Sequence, residues 1–148
     1  MQYEKIRSIF RPALLSAVFV ALLGAFSGAV AAQNLPPIEE EEYITQELLA
    51  AAIGNLIRRN CDSISARTFR VIGRAKKLRD YALGLGYSED EIRAYLESRE
   101  EIRRFREMAW DYLISRGASK DDPESICRVG RQEIAGNTPA GQLLRSWK

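Results

Sequence analysis

Histidine is absent from the 148 residues of this chain, which removes the side chain that most often serves as a general base near neutral pH and the commonest metal ligand. A serine nucleophile would have no imidazole beside it. Cysteine is scarce as well, with Cys61 and Cys127 the only two. Oxidised together, they offer neither a catalytic thiolate nor a zinc-thiolate site. No window alternates apolar and polar residues as a half-buried strand does, and no segment recurs at a fixed period. Gly84-Leu85-Gly86 follows no strand signal, which excludes a dinucleotide loop there. This inventory gives no catalytic residue, no metal ligand and no cofactor to expect.

What is present begins with a targeting segment. Lys5, Arg7 and Arg11 accompany an uncharged apolar run from Ala13 to Phe26, and Ala29-Val30-Ala31 or Val30-Ala31-Ala32 supplies the small side chains that a signal peptidase reads. Cleavage is expected after Ala31 or Ala32, with Gly24, Ser27 and Gly28 favouring the extended conformation it needs. The alternative is a retained anchor, because Pro12 to Ala32 is 21 residues without a charge, enough to cross about 30 Å of hydrocarbon as a helix. Cleavage makes the protein periplasmic; retention leaves it anchored in the inner membrane and facing the periplasm, with membrane contact confined to residues 12–32. The chain thus divides into a signal segment (1–32), an acidic, proline-containing linker and helix start (33–43), and a helical domain (44–148).

The whole chain carries 22 basic against 20 acidic residues, and losing Lys5, Arg7, Arg11 and Glu4 with the leader leaves 19 against 19. A formally neutral domain gives no reason to expect a nucleic-acid partner. Export also bears on the cysteines, since an even count in an oxidising compartment favours a Cys61–Cys127 disulfide over two buried thiols. Closing that loop of 66 residues (127 minus 61) restricts the unfolded chain by about 4 kcal/mol.

The rest reads as a small all-α bundle of about five short helices stapled by this bridge and preceded by the signal helix. Glu39 to Glu42 suit a helix N-terminus, and Ile44, Leu48, Leu49, Ile53, Leu56 and Ile57 continue an apolar stripe to about Arg59. A second helix is predicted from about Ala66 to Leu83, with Val71, Ala75, Leu78, Ala82 and Leu85 on its apolar face, Phe69 and Ile72 beside them, and Gly84 and Gly86 ending it. Ser88-Glu89-Asp90-Glu91 is a capping box, with Tyr87 and Ile92 placed as a staple. Ser98-Arg99-Glu100-Glu101 repeats the box, so two helices are expected to meet at Ser98, the second running through Phe105, Ala109 and Leu113 towards Gly117. Asp122-Pro123 starts a helix through Cys127 to Ile134, and Thr138-Pro139 launches a last turn with Leu143, Leu144 and Trp147.

Few side chains offer chemistry. Four consecutive carboxylates at Glu39 to Glu42 point around a helix and lack the loop geometry of a calcium site, which leaves a solvated helix start as their role. The basic run Arg67, Arg70, Arg74, Lys76, Lys77 and Arg79 suits an anionic headgroup, a phosphate or an acidic partner surface, or else a wet face paired with the acids between Glu89 and Glu101; Arg70, Arg74 and Lys77 mark this face. Trp110 and Tyr112 fall in the long apolar helix and suit core packing.

Ile64-Ser65-Ala66-Arg67 after Cys61, Leu85-Gly86-Tyr87-Ser88 with Ile92 and Ala94-Tyr95, Cys127 with Gly130-Arg131 and Glu133-Ile134, and Gly141 with Leu143-Leu144-Arg145 carry a resemblance. From about Leu48 to Arg145 the chain resembles an uncharacterised family of small exported alphaproteobacterial proteins, domain of unknown function 5333. The resemblance implies a paired cysteine and an exported helical fold, and no activity. Arg67 and Arg131 lie six and four residues after a cysteine, so a bridge is expected to gather two guanidinium groups, with Glu133 to answer them, as a binding or structural cluster. The function expected is that of a non-enzymatic periplasmic accessory or assembly factor docking a protein of an envelope complex. The alternatives are a small anion- or ligand-binding module using those arginines, and an arginine-rich enzyme of the secreted chorismate-mutase type, for which no residue spacing matches.

Overall fold

A computed structural model describes residues 35–147, and the expected signal segment, with its choice between cleavage and anchorage, lies outside them. A 3-10 turn (Ile38–Glu40) leads into α1 (Glu42–Asn60), followed by β1 (Ile64–Ala66), α2 (Thr68–Leu85), α3 (Glu89–Glu97), α4 (Arg99–Ser115), α5 (Pro123–Ala135), a second 3-10 turn (Gly141–Leu143) and β2 (Leu144–Ser146). The architecture is all-α, with five helices and one disulfide joining Cys61 to Cys127. None of the described helices is long and apolar enough to cross a membrane.

Local chemistry sets the helix ends. At α3 the capping box is complete: Ser88 Oγ accepts from Glu91 N at 3.2 Å, and Glu91 Oε2 accepts from Ser88 N at 2.7 Å. The Ser88 hydroxyl also donates to Glu91 Oε2 at 2.6 Å, and this bond first, then that from Ser88 N, holds the Glu91 carboxyl below its ordinary pKa. The repeat at Ser98 is only half a box, because Ser98 Oγ accepts from Glu101 N while the Glu101 carboxylate turns to Arg104. It still divides α3 from α4, as expected. Asp122 caps α5 with Pro123 in its first turn, and Gly86 closes α2 at φ 112°, a conformation glycine adopts without strain.

Two apolar clusters form the core, and α1 is their spine. Ile53, Leu56, Ile57, Cys61, Ile64, Leu113, Ile126, Val129 and Leu144 pack where α1, α4, α5 and the strands meet. Ile44, Ala82, Tyr87, Ile92, Tyr95 and Phe105 join the start of α1 to α2, α3 and α4. Leu49 and Ala52 touch both clusters.

Three sequence expectations need correction. Ile64–Ala66 is not linker and helix start; it pairs antiparallel with Leu144–Ser146, Ile64 facing Ser146 and Ala66 facing Leu144. Three-residue strands are too short to show a period of two, and the central pair, Ser65 and Arg145, is 80 residues apart in the chain. The last segment is accordingly a 3-10 turn and a strand, and Trp147 beyond it is 59% exposed. Phe69 and Ile72 do not join the apolar face of α2: at about 100° per residue Phe69 lies nearly opposite Leu78, and Phe69 is 93% and Ile72 60% exposed. Of the whole helix only Ala82 is buried.

Candidate functional site

Because α2 covers α1 thinly, α1 keeps one side open between α2 and the α3–α4 pair. The floor of this groove is Leu48, Ala51, Ala52 and Asn55, at spacings that repeat along one helix face. Val71, Arg74, Ala75 and Leu78 of α2 form one wall, and Tyr95, Leu96, Ile102 and Phe105 the other. Its main hollow, about 220 Å³, lies between α1 and the second wall. Leu48 also lines two adjoining hollows beneath α2. The lips are apolar and wet, with Leu96 49% and Ile102 45% exposed.

Charge gathers at one end. Arg59 and Arg106 line the main hollow, and Arg58 lines its neighbour towards Val71 and Leu143. Among the described residues none of these three is in an ion pair. Glu101 in the same wall is committed to Arg104, whose Nε donates to it at 2.9 Å and which also donates to Tyr95 Oη at 3.1 Å. Burial works against the Arg104 charge, yet the hydrogen bond and charge of Glu101 outweigh it and raise its pKa. Burial, followed by the Glu101 charge, pushes the Tyr95 hydroxyl above its ordinary value. The groove therefore presents an apolar floor with uncompensated positive charge at one end.

The residues singled out in the sequence are placed elsewhere. Cys61 and Cys127 are bonded at 2.04 Å and both are buried, tying the end of α1 to α5. The bridge does not assemble Arg67, Arg131 and Glu133 into one cluster. Arg67 Nε donates to the Leu144 carbonyl at 2.7 Å and so ties α2 to the strand pair. Arg131 and Glu133 are two apart on α5 and point to different sides. Glu133 joins Ile126, Val129 and Gly130 on the buried face, while Arg131 pairs along the outer face with Glu124 at 2.5 Å. Glu133 is fully buried and accepts from Tyr112 Oη at 2.9 Å and Thr138 Oγ1 at 2.5 Å, with Arg116 Nε at 3.5 Å. Burial first, then this bond to Glu133, raises the Tyr112 pKa.

The basic face of α2 is split. Arg74 turns inward and pairs with Glu47 of α1, while Arg79 reaches Glu89 as the sequence suggests. Arg70 donates to the Gln142 carbonyl at 3.3 Å, and Lys77 is exposed. The groove itself escaped the sequence reading; its one signal is that Ala51, Ala52 and Asn55 interrupt the apolar pattern of α1 with small or polar residues.

Comparison with known proteins adds one match. The model of a Family of unknown function (DUF5333) matches residues 36–145, beginning earlier than the resemblance around Leu48. No curated protein and no solved structure matches the chain.

Proposed function

Because the chain belongs to the family of unknown function DUF5333, which carries no assigned activity, we propose its role from its own surface. It is a non-enzymatic periplasmic accessory or assembly factor, and the groove over α1 receives one helix of an envelope protein. The observation that carries this reading is the apolar hollow between Leu48, Tyr95, Leu96, Ile102 and Phe105, open to solvent and bordered by exposed apolar lips. At about 220 Å³ it is smaller than the roughly 300 Å³ at which small-molecule sites begin, and it suits one or two anchor side chains. From Leu48 to Arg59 the floor runs for about 17 Å, three turns of helix, the reach of a partner anchored at every third or fourth residue. Arg58, Arg59 and Arg106 select a partner helix with an acidic end. The disulfide supports an oxidising compartment.

A second reading, a small anion-binding module, draws on Arg59 and Arg106 lining one hollow. Photo-crosslinking from position 102 in intact cells separates the two. Docking predicts one discrete protein adduct, lost when Arg59→Glu and Arg106→Glu are combined at an unchanged melting temperature. Recovery of the chain solely as an uncrosslinked monomer overturns it, and a melting temperature raised by phosphate in that case favours the anion module.

A further inference from the structure

α2 presents a second surface on the side away from the groove. Val71, Ala75 and Leu78 face α1, so helical geometry turns Phe69, Gly73, Lys76 and Asp80 outward, with Ile72 and Lys77 on the flanks. Phe69 is 93% exposed and Ile72, one turn along, 60%. A methyl group added at Gly73 would meet nothing within 4 Å, so no other part of the domain covers this ridge. Two large apolar side chains one turn apart thus stand in water together rather than singly, the arrangement that marks an interaction surface.

Positive charge predominates around the ridge. Between positions 67 and 80 the chain has six basic residues and a single acid, Asp80, although residues 33–148 are balanced overall. Arg70, Lys76 and Lys77 are exposed beside the two apolar side chains. Lys76 meets Asp80 at 2.8 Å, but with side chains 73% and 49% exposed that pair is readily exchanged for another anion. Phe69, Ile72 and Gly73 line none of the hollows described above, and cations flank the apolar side chains of the ridge.

The geometry points to a lipid surface as its occupant: α2 lies against an anionic membrane, Phe69 and Ile72 entering the boundary between headgroups and acyl chains while Arg70, Lys76 and Lys77 meet lipid phosphates. A flat, deformable anionic surface satisfies protruding apolar groups ringed by cations without needing a complementary pocket. This docking is independent of the groove, which opens on the other side of the helix, and would hold the groove beside the envelope proteins it serves.

The test is Phe69→Trp in the full chain, mixed with vesicles of equimolar phosphatidylethanolamine and phosphatidylglycerol carrying brominated acyl chains. Excess quenching over the parent chain, which has only Trp110 and Trp147, reports insertion at position 69 whether or not the leader is retained. The quenching should appear with these vesicles, vanish when phosphatidylcholine replaces both lipids, and need at least about tenfold more lipid after Arg70→Glu with Lys77→Glu. No excess quenching at position 69 overturns the proposal. So does quenching indifferent to lipid charge, or a Phe69→Ala chain that loses self-association in sedimentation while parent and variant ignore the vesicles, which would assign the ridge to a second copy.

Discussion

The hydroxyl of Tyr112 on α4 donates to the carboxylate of Glu133 on α5 at 2.9 Å, and that carboxylate has no exposure to solvent. Thr138 and Arg116 complete its surroundings, and among the described residues no buried side-chain polar atom lacks a partner. Tyr112→Phe removes a donor from a buried anion and should cost about 1–3 kcal/mol. Glu133→Ala leaves two hydroxyl donors without an acceptor and a void in the core, while the half-exposed Arg116 turns to solvent, and should cost about 2–5 kcal/mol. Urea unfolding checks both: the midpoint should fall in that order at an unchanged slope.

Two glycines lie where an added Cβ would clash, one against backbone and the other against side chains. A Cβ at Gly141 would overlap the carbonyl group of Glu133, and backbone cannot step aside, so Gly141→Ala should prevent the second 3-10 turn from docking on α5. At Gly130 the added atom would lie 2.5 Å from Ile57 Cγ2 and 2.6 Å from Ile64 Cδ1, both side-chain atoms that can shift at about 1–3 kcal/mol. The expected order of melting temperatures is parent, then Gly130→Ala, then Gly141→Ala. Equal losses would mean that α5 moves as a unit.

The legible parts of this fold are those written in short, local patterns. Ser88 with Glu91, Ser98 between two helices, and Asp122 with Pro123 each place a hydroxyl or carboxylate within three residues of the amide it caps, and sequence spacing alone reveals that. The disulfide is legible from the even cysteine count together with the export that the sequence leads one to expect. What stayed hidden depends on residues distant in the chain: the three-residue ladder, Arg67 on the Leu144 carbonyl, and a groove made by α2 standing off α1. Glu133 shows the limit most clearly. Proximity to Cys127 suggested an arginine partner, but helix phase sends it into the core and Arg131 outward.

That phase also sets what Arg131→Ala does. Its ion pair with Glu124 joins side chains 40% and 75% exposed, a geometry in which solvent screens most of the attraction. Stability should change by less than about 0.5 kcal/mol. A larger loss in thermal unfolding would place Arg131 in a network that the outer face of α5 does not show.

Reducing the Cys61–Cys127 bond should act mainly on the unfolded chain. The bridge closes a separation of 66 residues, worth about 4 kcal/mol of restricted entropy. Both sulfurs are buried where α1, β1 and α5 meet, so two serines there would add the cost of burying hydroxyls to the entropic loss. Two alanines should therefore melt above two serines, and both below the oxidised parent. Free-thiol labelling of protein isolated without reductant, before and after unfolding, should find neither cysteine reactive.

Alkaline pH offers a test specific to the buried hydroxyls. Burial raises the pKa of Tyr87, Tyr95 and Tyr112 above 10.0, and Tyr112 is raised further by its bond to Glu133. A raised group contributes stability that is fully present below the unfolded value of 10.0 and is lost as pH climbs through the higher folded value, because the unfolded chain releases its protons first. Stability should thus be flat towards pH 10 from below, as far as these tyrosines control it, and fall above it. Tyr112→Phe starts lower at neutral pH but lacks one of these linkages, so its urea midpoint should fall less steeply above pH 10 and the two curves should converge. Parallel curves would mean that Tyr112 ionises as easily in the fold as outside it, and that the bond to Glu133 is not made in solution.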